Sequence, residues 1–142
     1  MTVRRASHDD SAAVAPLLGQ LGYPVASSEL STRFRRAAAN DAAWIAEHDG
    51  RAVGFAAGHL FQPFELDSPV AELTALVVAE DHRGGGAGRA LVAAFEQWAL
   101  SAGSARLSVA TEFHRTGAHA FYERLGYVQL ARKYEKSAPS GA

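Results

Sequence analysis

Arg83-Gly84-Gly85-Gly86-Ala87-Gly88-Arg89 places four glycines within five positions, between an apolar segment and a long amphipathic one. Glycine takes positive φ readily and lets the backbone approach a ligand closely. The first amides of a helix opening there have no intrahelical partner, and the helix dipole adds partial positive charge. Loop and helix start together suit an anion of pyrophosphate size. Arg83 and Arg89 add full charges beside it. A Walker A loop needs Lys and Ser/Thr after its last glycine, and Gly88-Arg89-Ala90 lacks them. A dinucleotide fingerprint needs G-x-G-x-x-G, and Gly84, Gly86, Arg89 fails it. The bland alternative, a flexible linker, leaves so many ordered glycines between two firm elements without a use.

Other residues invite chemistry less specifically. Glu72 interrupts an apolar run, Val70-Ala71-Glu72-Leu73-Thr74-Ala75-Leu76. Period-two alternation puts it on one face with Thr74 and Leu76 unless a bulge intervenes. A carboxylate there is either a base for an ammonium group or a hydrogen-bonding group on the sheet surface. Tyr122 lies beside Phe121 on a helical segment, about 100° further round, so one ring can pack while the other faces a cleft. Of the six histidines, His114 and His119 are five apart, a poor spacing for one helix face, and no His-Glu-x-x-His occurs, so no metal site is expected. His59 ends a strand-like run within reach of a substrate; His82 falls in the glycine-rich connection. Phe61, Phe64, Glu65 and Asp67 would suit a cationic amine or make an ordinary solvated loop.

The elements that must hold these residues can be read in order. Thr2 to Ala6 forms a strand. Asp9 or Asp10 caps a helix to about Leu21, with Val14, Leu17, Leu18 and Leu21 on one stripe, weakened by Gly19 and Gly22 and stopped by Pro24. A second helix covers Ser28 to Ala39. His48-Asp49-Gly50-Arg51 between Ala43–Glu47 and Ala52–Leu60 signals a β-hairpin. Ala71 to Val78 is the next strand, followed by the glycine loop and a helix from about Gly88 to Ser101. Arg106 to Ala110 is a strand and Arg115 to Leu125 a helix, closed by Gly126. Tyr127 to Tyr134 is the last strand expected. The order β-α-α-β-β-β-α-β-α-β is an α/β (α+β mixed) pattern, an antiparallel meander followed by crossover units.

Composition bounds the rest. The chain has 142 residues, about one domain's worth. We expect one domain over residues 1–136 and a flexible tail over 137–142. The net charge of −1 speaks against a nucleic-acid partner. No cysteine is present, which removes thiol catalysis, disulfides and Cys-ligated metals. No apolar run approaches the roughly 18–20 residues of a membrane span, and no apolar stretch follows Arg4 and Arg5 as in a signal peptide. A cytoplasmic protein is expected, with no membrane partner.

Val78 to Leu91, with Arg83, Gly86 and Gly88 in register, resembles motif A of the GNAT superfamily of N-acetyltransferases, whose pattern is Arg/Gln-x-x-Gly-x-Gly/Ala. Ala118-His119-Ala120-Phe121-Tyr122-Glu123-Arg124-Leu125-Gly126-Tyr127 resembles its motif B, and the element order matches over almost the whole chain. The resemblance implies the GNAT fold, with a mixed, mostly antiparallel sheet splayed where CoA binds, and acetyl-CoA as cosubstrate. It implies a bulged strand whose amides at Leu76, Val77 and Val78 pair with the pantetheine arm. It implies that amides from Arg83 through Gly84, Gly85, Gly86, Ala87 and Gly88 to Arg89 hold the pyrophosphate. It makes Tyr122 the acid for the leaving thiolate and Glu72 the general base. Where the family often has a cofactor-touching Asn, this chain has Arg115, an arginine able to reach a phosphate. The acceptor is an amine on a small molecule or peptide, and a homodimer is compatible with the pattern. Two other classes stay open: a non-catalytic CoA-binding regulatory module, and a nucleotide-binding domain using the same loop.

Overall fold

The Asp-Gly hairpin organises the sheet. Asp49 (φ 51°) and Gly50 (φ 74°) both take the left-handed conformation that a tight two-residue turn requires. The turn joins β2 (Asp41–His48) to β3 (Arg51–Phe61). The structure, a computed structural model, describes residues 1–110 and 116–139. It comprises two compact units, Met1–Ala110 and Thr111–Ala142.

In the first unit, β1 (Thr2–Arg5), β2, β3, β4 (Val70–Val78) and β5 (Arg106–Val109) form one sheet in that order. The first three pairings are antiparallel and β4–β5 is parallel. Helix α1 (Ser11–Leu21) follows a 3-10 turn at His8–Asp10 that Ser7 and Asp10 close as a capping box. Helix α2 (Ser27–Arg36) packs beside α1 on one face of the sheet, where Val14, Leu17, Leu30, Ile45, Phe55 and Val77 are buried together. Helix α3 (Ala87–Ser101) makes the crossover from β4 to β5 and covers the other face. Phe95 and Trp98 of α3 meet Trp44 at ring-centroid distances of 6.3 and 5.5 Å. Gly58 leaves room there: a Cβ on it would lie 2.9 Å from Phe95.

In the second unit, α4 (Thr116–Arg124) ends in a Schellman motif. Gly126 has φ 93°, its N–H donates to the Glu123 carbonyl, and the Tyr127 N–H donates to the Tyr122 carbonyl. The expected strand Tyr127–Tyr134 does not form. Residues 127–139 contain neither helix nor strand, and Val128, Leu130 and Tyr134 are exposed. Strand propensity reflects fit to a half-buried pleated surface, and among the described residues no strand pairs with this segment to supply one. No described helix is long and apolar enough to cross a membrane.

Candidate active site

β4 carries the irregularity that shapes the site. Ala57 pairs with Ala75 and Gly58 pairs with Leu73, so Thr74 is an extra residue without a partner on β3. This bulge turns the strand over. Val77 lies opposite Phe55, on the α1/α2 face, whereas Leu73 lies opposite Gly58, on the α3 face. Unbroken alternation would give residues four apart the same face. Glu72 and Leu76 therefore point to opposite faces. The parallel pairing with β5 ends at Leu73–Val109, just before the bulge. From Thr74 to Val78, β4 has an edge with no strand beside it among the described residues.

Which groups face that edge follows from one hydrogen bond. The Ala79 N–H donates to the Val53 carbonyl at 2.7 Å. Backbone direction alternates along a strand, so Val77 turns its N–H and C=O toward β3, while Leu76 and Val78 turn theirs outward. The Val78 carbonyl accepts from Arg83 Nε at 3.4 Å, in keeping with an outward direction.

A 3-10 turn at Glu80–His82 carries the chain from the open edge into the glycine loop. The connection is anchored by the Glu80 N–H, which donates to Gln20 Oε1 of α1 at 3.0 Å. Gly84 (φ 86°) and Gly86 (φ 90°) are left-handed, and no atom lies within 4 Å of a Cβ built on either. Gly86 is the N-cap of α3, without a side-chain cap. The amides of Ala87, Gly88 and Arg89 thus open the helix unpaired, since the first helical bond runs from the Ala90 N–H to Gly86 O. The Ala87 methyl is in the core, while Arg83, Gly84, Gly85 and Arg89 are exposed. Gly88 is helical, in the first turn of α3, and half-buried.

Glu72 is half-buried, and its side chain has no hydrogen bond or ion pair among the described residues. The register places it opposite His59 on β3 and Ser108 on β5, and His59 opposite Asp41 on β2. His59 Nδ1 and Asp41 Oδ1 are 2.6 Å apart. That hydrogen bond, with a second from the Ala38 N–H, holds the Asp41 carboxyl below the usual carboxylate range. Phe61 stacks on the His59 ring at 6.1 Å, and Phe64 is fully exposed. Asp41 escaped sequence reasoning because nothing local links it to a residue eighteen positions on.

In the second unit, Tyr122 is buried between Phe121 and Tyr127, with ring centroids 5.2 and 5.8 Å away. Burial pushes its phenol up to about 12. Arg115 and His114 lie outside the described residues.

The arrangement defines a class. A family model for the acetyltransferase (GNAT) family matches residues 14–127. The chain is 34% identical over 137 residues to Aminoglycoside N(6')-acetyltransferase type 1 of Stenotrophomonas maltophilia, covering 92% of this chain and 88% of that protein. It is 33% identical over 137 residues to the uncharacterized N-acetyltransferase YhfO of Bacillus subtilis (strain 168), covering 91% of each. An aminoglycoside N-acetyltransferase solved in complex with CoA has the same fold, with a TM-score of 0.85 at 22% identity over 96% of this chain and 93% of that one. The chain belongs to the GNAT family of acetyltransferases, enzymes that draw their acyl group from acyl-CoA.

Proposed function

We propose that this enzyme transfers the acetyl group of acetyl-CoA to a primary amine by direct attack of the amine on the thioester. The observation that carries this reading is the edge of β4, open among the described residues, which leads through the Glu80–His82 turn and the glycine loop to the uncapped start of α3. An extended arm can add to the edge as a strand would, through Leu76 and Val78. A pyrophosphate suits the amides of the loop from Gly84 to Arg89, with the Arg83 and Arg89 side chains alongside. The Val78 amide, the last to face outward, is the donor for the developing oxyanion. Val77 supports the arm only by fixing the strand.

Glu72 takes a proton from the amine, directly or through water. Tyr122 gives its proton to the CoA sulfur; the resemblance of α4 to motif B supports that role, as does a phenol that stays protonated at neutral pH. Residues 1–136 act as one N-acetyltransferase domain, a reading supported by a family match that runs through both compact units. The acceptor is a small cationic amine, in line with the names of the relatives. A cytoplasmic location belongs to the same proposal, because the donor is an intracellular metabolite.

Glu72→Gln tests the base. The rate should fall most near neutral pH, within the about 10²–10⁴-fold range of such groups, and recover in part at high pH, where the amine sheds its own proton. An equal fractional loss at every pH would make Glu72 structural.

A further inference from the structure

Acetylating an ammonium group removes two protons from its nitrogen. The first must leave before the lone pair can attack. The second must leave once the carbon–nitrogen bond has formed. Glu72 accounts for one of them, and the same row of the sheet offers a second acceptor.

Asp41, His59, Glu72 and Ser108 are successive partners across β2, β3, β4 and β5. Paired positions share a face, and directly opposed side chains have Cβ atoms about 4.5–5.5 Å apart. The face is that of Ala43, two residues after Asp41, and Ala57, two residues before His59, which pack against the α1/α2 core. The row lies one residue before the point where β4 and β5 part. His59 is held from two sides, by Asp41 at 2.6 Å and by the stacked ring of Phe61. The ionised Asp41 carboxylate accepts Nδ1–H, which fixes the tautomer with its lone pair on Nε2. Among the described residues nothing bonds to Nε2, and the side chain is 44% exposed. The ladder partners of His59 are both ionisable, Asp41 on β2 and Glu72 on β4.

We propose that His59 is a catalytic base of the transfer, taking the second proton, and that Asp41 is its positioning residue. This rests on the acetyl-transfer reading given above. Glu72 takes the first proton from the acceptor ammonium, and the freed lone pair forms the bond to the thioester carbonyl carbon. As the tetrahedral adduct collapses, the carbon–sulfur pair leaves on sulfur, which is protonated by Tyr122. The nitrogen gives its remaining surplus proton to Nε2 of His59. The imidazolium, stabilised by Asp41, returns that proton to water; Glu72 does the same, and the phenol is refilled from water. The sum is one amide, one thiol and one proton released.

The test uses the full chain, acetyl-CoA, and an aminoglycoside, spermidine and lysine as acceptors, with thiol release as readout. His59→Ala should lower kcat at the low end of the about 10²–10⁴-fold that positioned acid–base groups contribute. The KM for acetyl-CoA should not change, and added imidazole should restore much of the rate. Asp41→Asn should slow the parent enzyme but leave His59→Ala no slower. Undiminished turnover in His59→Ala would overturn the proposal. So would a loss that imidazole does not mend, or an Asp41→Asn effect that persists without His59. If the parent enzyme itself acetylates none of these amines, the underlying reading fails and this inference with it.

Discussion

Tyr122 gives the sharpest test among single side chains, since Phe removes one oxygen and keeps the packing against Phe121 and Tyr127. A group that acts only in the transition state changes kcat and not uniform binding. Tyr122→Phe should therefore cut kcat by about 10–10³-fold with little change in the KM for acetyl-CoA, an allowance for thiolate being a fair leaving group. Because burial raises the phenol to about 12, loss of its proton should not depress the parent kcat until pH approaches that value. A Phe variant with parental kcat, measured where chemistry limits turnover, would return Tyr122 to a packing role. Gly86 is the complementary case, in which the backbone matters. Valine has open space there but would have to hold φ at 90°, a strain of about 1–3 kcal/mol. Gly86→Val should stay folded and lose CoA binding by calorimetric titration; unchanged affinity would place the cosubstrate elsewhere.

At the scale of elements, most of the architecture was legible. Asp49-Gly50 and the apolar runs beside it specify a hairpin, and the stripe Leu91, Val92, Phe95, Ala99 specifies a helix that covers one sheet face. What the sequence withheld is the register. The turn pairs His48 with Arg51, and simple counting outward would set Asp41 against Gly58. A slip between Ala46 and Glu47 moves the partner on by one, to His59. The Thr74 bulge likewise moves Glu72 off the face of Leu76. No residue type marks either slip, because a bulge answers to twist and packing across strands. The strand expected over Tyr127–Tyr134 is absent for a related reason, since Val128 and Leu130 have strand propensity but no strand pairs with them among the described residues. Packing between elements also yields a prediction. Gly58→Val would push its Cβ into Phe95 and Trp98 and should lower stability by about 1–3 kcal/mol in denaturant unfolding, with the midpoint moved and the slope kept. A stability equal to the parent's would mean that α3 can move away from β3.

For the whole molecule, electrostatics sets the acid limit. Arg4 on β1 bonds Asp10 of the first turn at 2.8 and 3.1 Å and also reaches Glu47 on β2. Arg4 holds the Asp10 carboxyl low, as His59 does for Asp41 and His82 for Asp81. Folded-state values below the unfolded ones make a contribution that is complete above the ordinary carboxylate range and is lost as pH falls through the lowered values. Melting temperature should therefore drop as pH falls below the ordinary carboxylate range, and Arg4→Ala should both lower it at neutral pH and flatten that drop. An Arg4→Ala melting curve as acid-sensitive as the parent's would remove Asp10 from this account.

In the proposed reaction the β4 edge and the glycine loop present acetyl-CoA to an amine. Thiol release from acetyl-CoA, followed against a panel of aminoglycosides, polyamines, amino acids and peptides with mass detection of the product, tests it most directly. Acceptor-dependent thiol release is expected, with a mass gain of one acetyl group on at least one amine and loss of both signals in Gly86→Val. Tight CoA binding with no acetylated product from any amine would contradict it and leave a regulatory CoA-binding module in its place.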